Sequence, residues 1–343
     1  MENERPVLLH CANMRVIARP HAERLWFQLN SDHRLICTMR LSRRQINSIV
    51  SMRARALYGL IAGLLLWGSG CTSFQLLDAT IPRWGSTRWT NAAYGSLPRQ
   101  KLDVYRPHGV APGASIVIFF YGGDWQRGYK GGYRFVAQAL ASRGFIAVLP
   151  DYRLYPDVTF PAFVNDAALA VRWVHDHARE IGGDPSHIYL MGHSAGAHIV
   201  ALLTLDKEYL NDVGLHRDAI RATVGLSGPY DFMPPLEDRG VFGMSLASTQ
   251  PDPRIEPINF VDGKEPPMLL IQGEKDTTVN PSNAINLAAR IREAGGSIKL
   301  ILYPKADHVG VVLALAWPFR WIAPTLPDVT EFIRSCDGAA AAR

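Results

Sequence analysis

The sequence predicts an α/β fold in which a central, mostly parallel β-sheet is flanked by helices on both faces. Two observations support this prediction. From about residue 97 onward, short runs rich in β-branched and aromatic residues alternate with longer segments of helical spacing. The short runs are almost continuously apolar, as expected of strands that are buried on both faces. Strands that alternate with helices usually pair in parallel within one sheet.

The predicted elements can be placed in chain order. The strands ASIVIFFY (Ala114–Tyr121) and FIAVLP (Phe145–Pro150) flank a helix in YRFVAQALASRG. A long amphipathic helix, FVNDAALAVRWVHDHAREIGG, ends at paired glycines before the strand HIYLM. Further strands are predicted at RATVGLSG, PMLLIQG and SIKLILYP, with a helix at SNAINLAARIREAGG before the last of them.

One segment, 231–267, interrupts this alternation. It contains seven prolines and no clear hydrophobic period. A long irregular segment inside a compact domain is usually a functional loop or a lid. We therefore expect one domain over residues 72–343, with a lid-like excursion at about 231–267.

The net charge of +5 is concentrated near the N-terminus. Residues 1–51 contain eight Arg and four acidic residues, and Arg53 and Arg55 add two positive charges, so residues 72–343 carry a net charge of −1. Because residues 72–343 are nearly neutral, they lack the excess of basic residues that nucleic-acid binding requires. The sequence also has neither zinc-ligand spacing nor a dinucleotide-binding glycine motif. We therefore expect no nucleic acid, no metal and no cofactor.

The stretch 52–71, MRARALYGLIAGLLLWGSGC, resembles a bacterial lipoprotein export signal. Two arginines precede a 12-residue apolar run, 56–67, and small residues then lead to Cys71. The run is too short to span a hydrocarbon core of roughly 30 Å as a helix. The resemblance implies lipidation of Cys71 and an exported, lipid-anchored protein of a bacterial cell envelope or periplasm. Plain secretion, an uncleaved anchor at 56–67 and a buried helix are the alternatives.

This signal bears on where translation begins. Export signals are N-terminal, so 51 residues in front of one are unusual. If Met52 is the true start, residues 1–51 are an upstream extension, which we expect to be poorly ordered.

A serine lies between two glycines where the strand HIYLM meets the helix that starts AHIVALL. The run Gly192–Gly196, GHSAG, matches the Gly-x-Ser-x-Gly pattern of a nucleophile elbow, a sharp turn that lifts the serine hydroxyl above the sheet edge. Glycines flank the serine because side chains there would collide with the neighbouring strand or helix. Ligands of open α/β folds bind at this edge of the sheet. Ser194 is therefore the candidate nucleophile.

A serine hydroxyl attacks efficiently only when a base takes its proton and an acid orients that base. With this elbow, the partners should follow in the order serine, acid, histidine. Asp276 lies in the loop GEKDTTV after the strand PMLLIQG, and His308 lies in the loop PKADHVG after the last strand. We predict that these two residues complete a triad with Ser194. Glu274 is the alternative acid.

Other titratable residues near these motifs receive structural interpretations. We expect the side chain of His193 to point away from Ser194, because neighbours in a tight turn diverge. His198 is interpreted as a packed residue and Asp307 as a solvated loop residue. Asp151 and Arg153 are expected to pair with each other.

Acyl transfer also needs N–H donors for the negative oxygen of the tetrahedral intermediate. One donor is expected to be the backbone N–H of Ala195, and others should come from the glycine-rich loop FFYGGDWQRG after the first strand, at Gly123 and Asp124. Tyr121 and Trp125 of this loop are expected to wall a modest apolar pocket together with the proline-rich excursion.

These motifs resemble the α/β-hydrolase carboxylesterases that carry a His-Gly-Gly-x-Trp loop. That group includes bacterial acetyl and feruloyl-type esterases, arylformamidases and isoprenylcysteine methylesterase-like enzymes. The resemblance covers roughly 97–334, and four separated motifs carry it in the same order. They are Tyr121–Trp125 with Gly128, Asp151–Leu154, Gly192–Gly196, and Asp276 with His308.

The resemblance implies a serine hydrolase that cleaves short-chain or aryl carboxylic esters through an acyl-enzyme intermediate. In that group the second glycine and the next residue donate the oxyanion N–H groups, which correspond here to Gly123 and Asp124. Tyr121 replaces the histidine of the group, which bears on substrate preference. An arylformamidase or other amidase, a peptidase, and an inactive binding module on the same fold are the alternatives.

Overall fold

A computed structural model describes residues 7–11, 14–18, 24–29, 39–40, 85–232, 234, 236–244 and 252–341. The chain divides into two compact units, residues 1–67 and 68–343. The segment 52–71, with Cys71, lies outside the described residues, so its export role stays a prediction. No helix within the described ranges combines the length and apolar character that crossing a bilayer requires.

The first unit contains a small antiparallel sheet, with its strands in chain order. These strands lie within residues 1–51, whose interpretation as a poorly ordered upstream extension stays a prediction. Runs such as RLWFQL are rich in the aromatic and apolar residues that favour strands. The strands are β1 (Val7–Cys11), β2 (Met14–Ala18), β3 (Arg24–Leu29) and β4 (Met39–Arg40).

The second unit is built on an eight-stranded sheet of order β12-β11-β10-β9-β7-β8-β6-β5. All pairs from β8 through β12 are parallel, whereas β6 runs antiparallel to both of its neighbours. The strands are β5 (Ser86–Ala93), β6 (Lys101–Pro107), β7 (Ala114–Phe120), β8 (Ile146–Pro150), β9 (Gly183–His193), β10 (Ala222–Leu226), β11 (Met268–Gly273) and β12 (Ile298–Tyr303). The mostly parallel sheet and its strands β7 to β12 are confirmed.

Helices cover both faces of the sheet, as predicted. The helices are α1 (Arg134–Ala141), α2 (Ala162–His177), α3 (Ala195–Leu205), α4 (Lys207–Asp212), α5 (Ser282–Glu293), α6 (His308–Leu313) and α7 (Thr325–Ala341). α1 and α7 contact each other on one face, and α2 packs against α3 on the other. Strands β7 to β11 are almost entirely buried between these layers, which explains their continuous apolar sequences.

The proline-rich excursion contains short 3-10 helices at Leu236–Phe242, Pro253–Ile255 and Pro257–Phe260. The last of these packs on α3 and α5, and Val241, Phe242 and Ile255 are buried. The described part of the excursion is therefore packed onto the domain near the helix that follows Ser194.

Candidate active site

The turn at Ser194 has the geometry of a nucleophile elbow. β9 ends at His193 and α3 begins at Ala195, and Ser194 between them has φ +54° and ψ −121°, a strained conformation for a residue with a side chain. A Cβ on Gly192 would lie 2.2 Å from the carbonyl oxygen of Gly196, and the flanking glycines thus allow the strand and the helix to approach each other.

The structure brings the predicted acid and base together. His308, the first residue of α6, has its Nδ1 2.8 Å from Oδ2 of Asp276 in the loop after β11. The carboxylate also accepts hydrogen bonds from the Val279 amide (2.8 Å), the Thr278 amide (2.9 Å) and the Gln272 side chain (2.8 Å). Burial alone would raise the pKa of Asp276, but the bond from His308 and the other donors outweigh it and lower that pKa.

An ionised carboxylate can only accept hydrogen bonds, so Nδ1 of His308 must carry a proton. The neutral imidazole then has its lone pair on Nε2, the tautomer that a general base for a serine needs. The alternative acid Glu274 is exposed, while Asp307 caps α6 by accepting a hydrogen bond from the Gly310 amide. The structure therefore selects Asp276 as the partner of His308.

Ser194 and His308 line one cavity of about 380 Å³ at the carboxyl edge of the parallel strands. The loop residues Gly122, Gly123 and Asp124 form one side of it. The remaining lining residues are Arg127, Gly128, Tyr129, Gly132, Tyr133, His193, Thr278 and Val309. Among the described residues, no group of His, Cys, Asp or Glu side chains is arranged to hold a metal ion.

The loop after β7 turns sharply beside Ser194. Gly123 has φ +135° and Asp124 has φ +55°. The carbonyl oxygen of Gly123 accepts hydrogen bonds from the amides of Gln126 and Arg127. A Cβ on Gly122 would lie 2.8 Å from the Cβ of Ser194. Within the described ranges, no acceptor binds the backbone N–H of Gly123, Asp124 or Ala195. All three predicted donors therefore remain available to a ligand.

Tyr121 does not line this cavity, which corrects the prediction that it walls the pocket. Its side chain is fully buried beneath the loop, and its hydroxyl accepts a hydrogen bond from Arg99 (2.8 Å) and donates one to Asp151 (3.1 Å). Its ring stacks between Tyr133 and Tyr152. The ring packs against the end of the loop, where a Cβ on Gly128 would lie 2.8 Å from its carbon atoms, and so does not face the cavity.

Trp125 is also absent from the cavity wall, a second correction. It is buried, and its ring packs against His198 and Phe242, with centroid distances of 5.1 and 4.8 Å. His198 in turn lies 2.7 Å from the carbonyl oxygen of Ile255 through Nε2. Trp125 therefore joins the glycine-rich loop to α3 and to the proline-rich excursion.

The predicted pairing of Asp151 with Arg153 is wrong. Asp151 accepts hydrogen bonds from Tyr121 and from the amide of Lys130 (2.7 Å), whereas Arg153 binds the buried Asp166. A fully buried carboxylate needs a charged partner, and Arg153 supplies it to Asp166 instead of to Asp151.

Sequence reasoning missed Arg99, which lies in the loop between β5 and β6. Its guanidinium donates to the hydroxyl of Tyr121, to the carbonyl oxygen of Gly128 (2.9 Å) and to that of Tyr152 (2.8 Å). No motif marks this arginine, because its partners are separated from it by 22 to 53 positions.

Comparisons with known proteins agree with this architecture. A family model described as BD-FAE matches residues 102–291, more than half of the chain. A probable isoprenylcysteine alpha-carbonyl methylesterase of Oryza sativa subsp. japonica is 32% identical over 238 residues, covering 64% of this chain and 58% of that protein. Esterase LipQ of Mycobacterium tuberculosis is 31% identical over 259 residues, covering 68% of this chain and 60% of that protein. The chain thus spans about three fifths of these relatives.

Solved structures give the same result. A truncated form of a carbohydrate esterase from gut microbiota superposes with a TM-score of 0.65 at 25% identity, covering 73% of this chain and 96% of that one. Esterase 2 of Thermogutta terrifontis with propionate bound has a TM-score of 0.61 at 25% identity, covering 74% of this chain and 96% of that one. The chain therefore belongs to the BD-FAE family and has the α/β-hydrolase fold.

Proposed function

We propose that this protein is a carboxylic ester hydrolase in which Ser194, His308 and Asp276 form a catalytic triad. The observation that carries the proposal is the hydrogen bond between His308 and Asp276, at the wall of the cavity that Ser194 also lines. The names of the relatives, which are esterases and methylesterases, support the same reaction class.

In the proposed mechanism, Nε2 of His308 accepts the proton of Ser194 as Oγ attacks the ester carbonyl carbon. The resulting oxyanion is held by backbone N–H groups, and His308 then donates the proton to the departing alcohol. Water, activated by the same imidazole, attacks the acyl-enzyme, releases the acid and restores the serine. Asp276 stays ionised and stabilises the imidazolium.

Two features support oxyanion binding at Gly123, Asp124 and Ala195. The N–H of Ala195 belongs to the first residue of α3, where the helix dipole favours negative charge. The carboxylate of Asp124 would oppose an oxyanion, but Arg127 forms an ion pair with it and offsets its charge.

The proposed substrates are short-chain or aryl carboxylic esters. A cavity of about 380 Å³ is small, and the aromatic side chains of Tyr129 and Tyr133 form part of its wall. Structures of the related Thermogutta terrifontis esterase 2 contain propionate and butyrate, both short acyl groups.

The Ser194→Ala variant tests the proposal with p-nitrophenyl acetate as substrate. We expect kcat to fall by at least about 10³-fold, because no other group can form the acyl-enzyme. Ser335→Ala is the matched control, since that hydroxyl donates to the carbonyl oxygen of Phe332 within α7 and does not line the cavity. Equal rates for wild type and Ser194→Ala would remove Ser194 from the mechanism.

A substrate panel separates the alternatives on the same fold. p-Nitrophenyl esters of two to ten acyl carbons should show a preference for the shortest chains, and aryl amides should react more slowly. Faster cleavage of aryl amides would indicate an amidase. Failure of a fluorophosphonate probe to label Ser194 would indicate an inactive binding module.

We also propose that the protein is exported and tethered to a membrane of the bacterial cell envelope. The support is the sequence of residues 52–71, in which an apolar run and small residues precede Cys71.

A further inference from the structure

His193, the residue before the proposed nucleophile Ser194, is buried beside His308, the proposed base. Its side chain is 3% exposed, and its ring centroid lies 4.9 Å from that of His308. Nε2 of His193 lies 3.0 Å from the backbone carbonyl oxygen of His308. The hydrogen bond thus joins the elbow after β9 to the start of α6, two segments separated by 115 positions.

The direction of this hydrogen bond follows from its acceptor. A carbonyl oxygen can only accept, so Nε2 of His193 carries the proton. Nδ1 is then unprotonated, and it has no hydrogen-bond partner among the described residues. Gly122 closes over it, because a Cβ there would lie 3.0 Å from Nδ1 and 2.8 Å from the Cβ of Ser194.

The ring also stays uncharged. Burial, together with the charge of His308, lowers the pKa of His193 to about 3. A second imidazolium so close to His308 would oppose the positive charge that the base acquires when it takes the serine proton. A neutral His193 can donate a hydrogen bond to the backbone carbonyl oxygen of His308 without repelling the His308 imidazolium.

We propose that His193 is a positioning residue for His308, holding the backbone of the base at a fixed distance from the adjacent Ser194. This inference rests on the proposed function of Ser194 and His308. Through its hydrogen bond, the His193 ring fixes the distance between the elbow after β9 and the start of α6, the two segments that carry Ser194 and His308. A displacement of about 1 Å between reacting groups can lower a rate by roughly 100-fold.

Two substitutions separate the hydrogen bond from the volume of the ring. His193→Leu fills the space but donates nothing, whereas His193→Gln places an N–H three bonds from Cβ, as Nε2 of histidine does. We expect His193→Leu to lower kcat for p-nitrophenyl acetate by roughly 10- to 100-fold, with KM changed by less than about threefold. His193→Gln should recover kcat to within about fivefold of wild type.

The experiment measures kcat, KM and the rate of fluorophosphonate labelling of the full chain, with thermal unfolding to confirm that each variant is folded. Ser194→Ala is assayed in parallel. If it is inactive while His193→Leu keeps the wild-type kcat and labelling rate, the positioning role is wrong and the proposed function stands. Equal losses in His193→Leu and His193→Gln would also overturn the role of the hydrogen bond. Full activity of Ser194→Ala would instead remove the proposed function.

Discussion

The hydroxyl of Tyr121 joins two charged side chains beneath the loop that carries the proposed oxyanion donors. Arg99 donates to it, and it donates to Asp151, whose pKa is raised by burial against the lowering effects of Lys130 and Arg99. Arg99 also binds the carbonyl oxygen of Gly128, where the loop ends. Arg99 and the Tyr121 hydroxyl together thus connect the start of the loop to its end.

Tyr121→Phe keeps the stacked ring and removes only the hydroxyl. We expect the free energy of unfolding to fall by about 1–3 kcal/mol, because Arg99 and Asp151 lose a buried partner. We expect kcat to fall by roughly 10- to 100-fold, approaching the loss of a whole oxyanion donor, because the loop is less firmly held. Chemical denaturation and p-nitrophenyl acetate kinetics measure the two effects.

Tyr189→Phe is the matched control. Tyr189 is a buried tyrosine of β9 whose hydroxyl donates to the carboxylate of Asp337, away from the cavity. It should lose stability by a similar amount while keeping kcat. If both variants lost kcat equally, the Tyr121 network would have no specific connection to the loop.

Among single residues, the placement of the proposed triad was easier to predict from the sequence than the placement of the side chains packed around it. Ser194, Asp276 and His308 follow from chain order and strand ends, because a motif and a topology together restrict where each can lie. The orientations of Tyr121 and Trp125 depend on which side of the loop each backbone position faces. Contacts with partners far away in sequence decide that side, and no local pattern encodes them.

Among the structural elements, the elbow between β9 and α3 leaves no space for an added side chain at its glycines. A Cβ on Gly196 would lie 2.0 Å from the carbonyl oxygen of Phe120 at the end of β7, a backbone atom that cannot move without shifting the central sheet. The helix that carries Ala195 therefore packs directly on the strand that carries the glycine-rich loop.

Gly196→Ala should abolish p-nitrophenyl acetate hydrolysis and lower the yield of folded protein, since the added methyl group displaces α3 from β7. Gly338→Ala is the opposite case, because Gly338 lies on the exposed side of α7 with no atom within 4 Å of an added Cβ. It should keep activity and gain about 0.5–1 kcal/mol of stability. Thermal unfolding and the esterase assay test both, and an active, stable Gly196→Ala would contradict the packing argument.

The elements themselves were predictable to different degrees. Strands β7 to β11 are almost entirely buried, so their apolar runs identify them, whereas β12 is only partly buried and is identified by its apolar sequence alone. β5, at the edge of the sheet, has mostly exposed side chains and lacks such a run, and neither it nor β6 was predicted. An edge strand is specified by its backbone pairing with a neighbour, which periodicity does not reveal.

For the molecule as a whole, the distribution of charge and apolar residues separates residues 1–71 from the rest of the chain. The net positive charge lies before residue 56, and a 12-residue apolar run and Cys71 follow it. The structure does not describe residues 52–71. Their proposed role, a membrane tether through a lipid on Cys71, can be tested by measuring lipid attachment directly. Lipidation adds about 0.8 kcal/mol of membrane affinity per buried CH₂ group.

Cys71→Ser tests the tether in a bacterium that expresses the full chain. Wild-type protein should incorporate radiolabelled palmitate and sediment with membranes, and the variant should lose both the label and most of the membrane-bound fraction. Cys336→Ser is the matched control, because this half-buried cysteine of α7 lies far along the chain from the signal and should leave labelling unchanged. Membrane association that persists in Cys71→Ser would assign the tether to the apolar run at 56–67. Equal labelling of wild type and Cys71→Ser would rule out Cys71 as the lipidated residue.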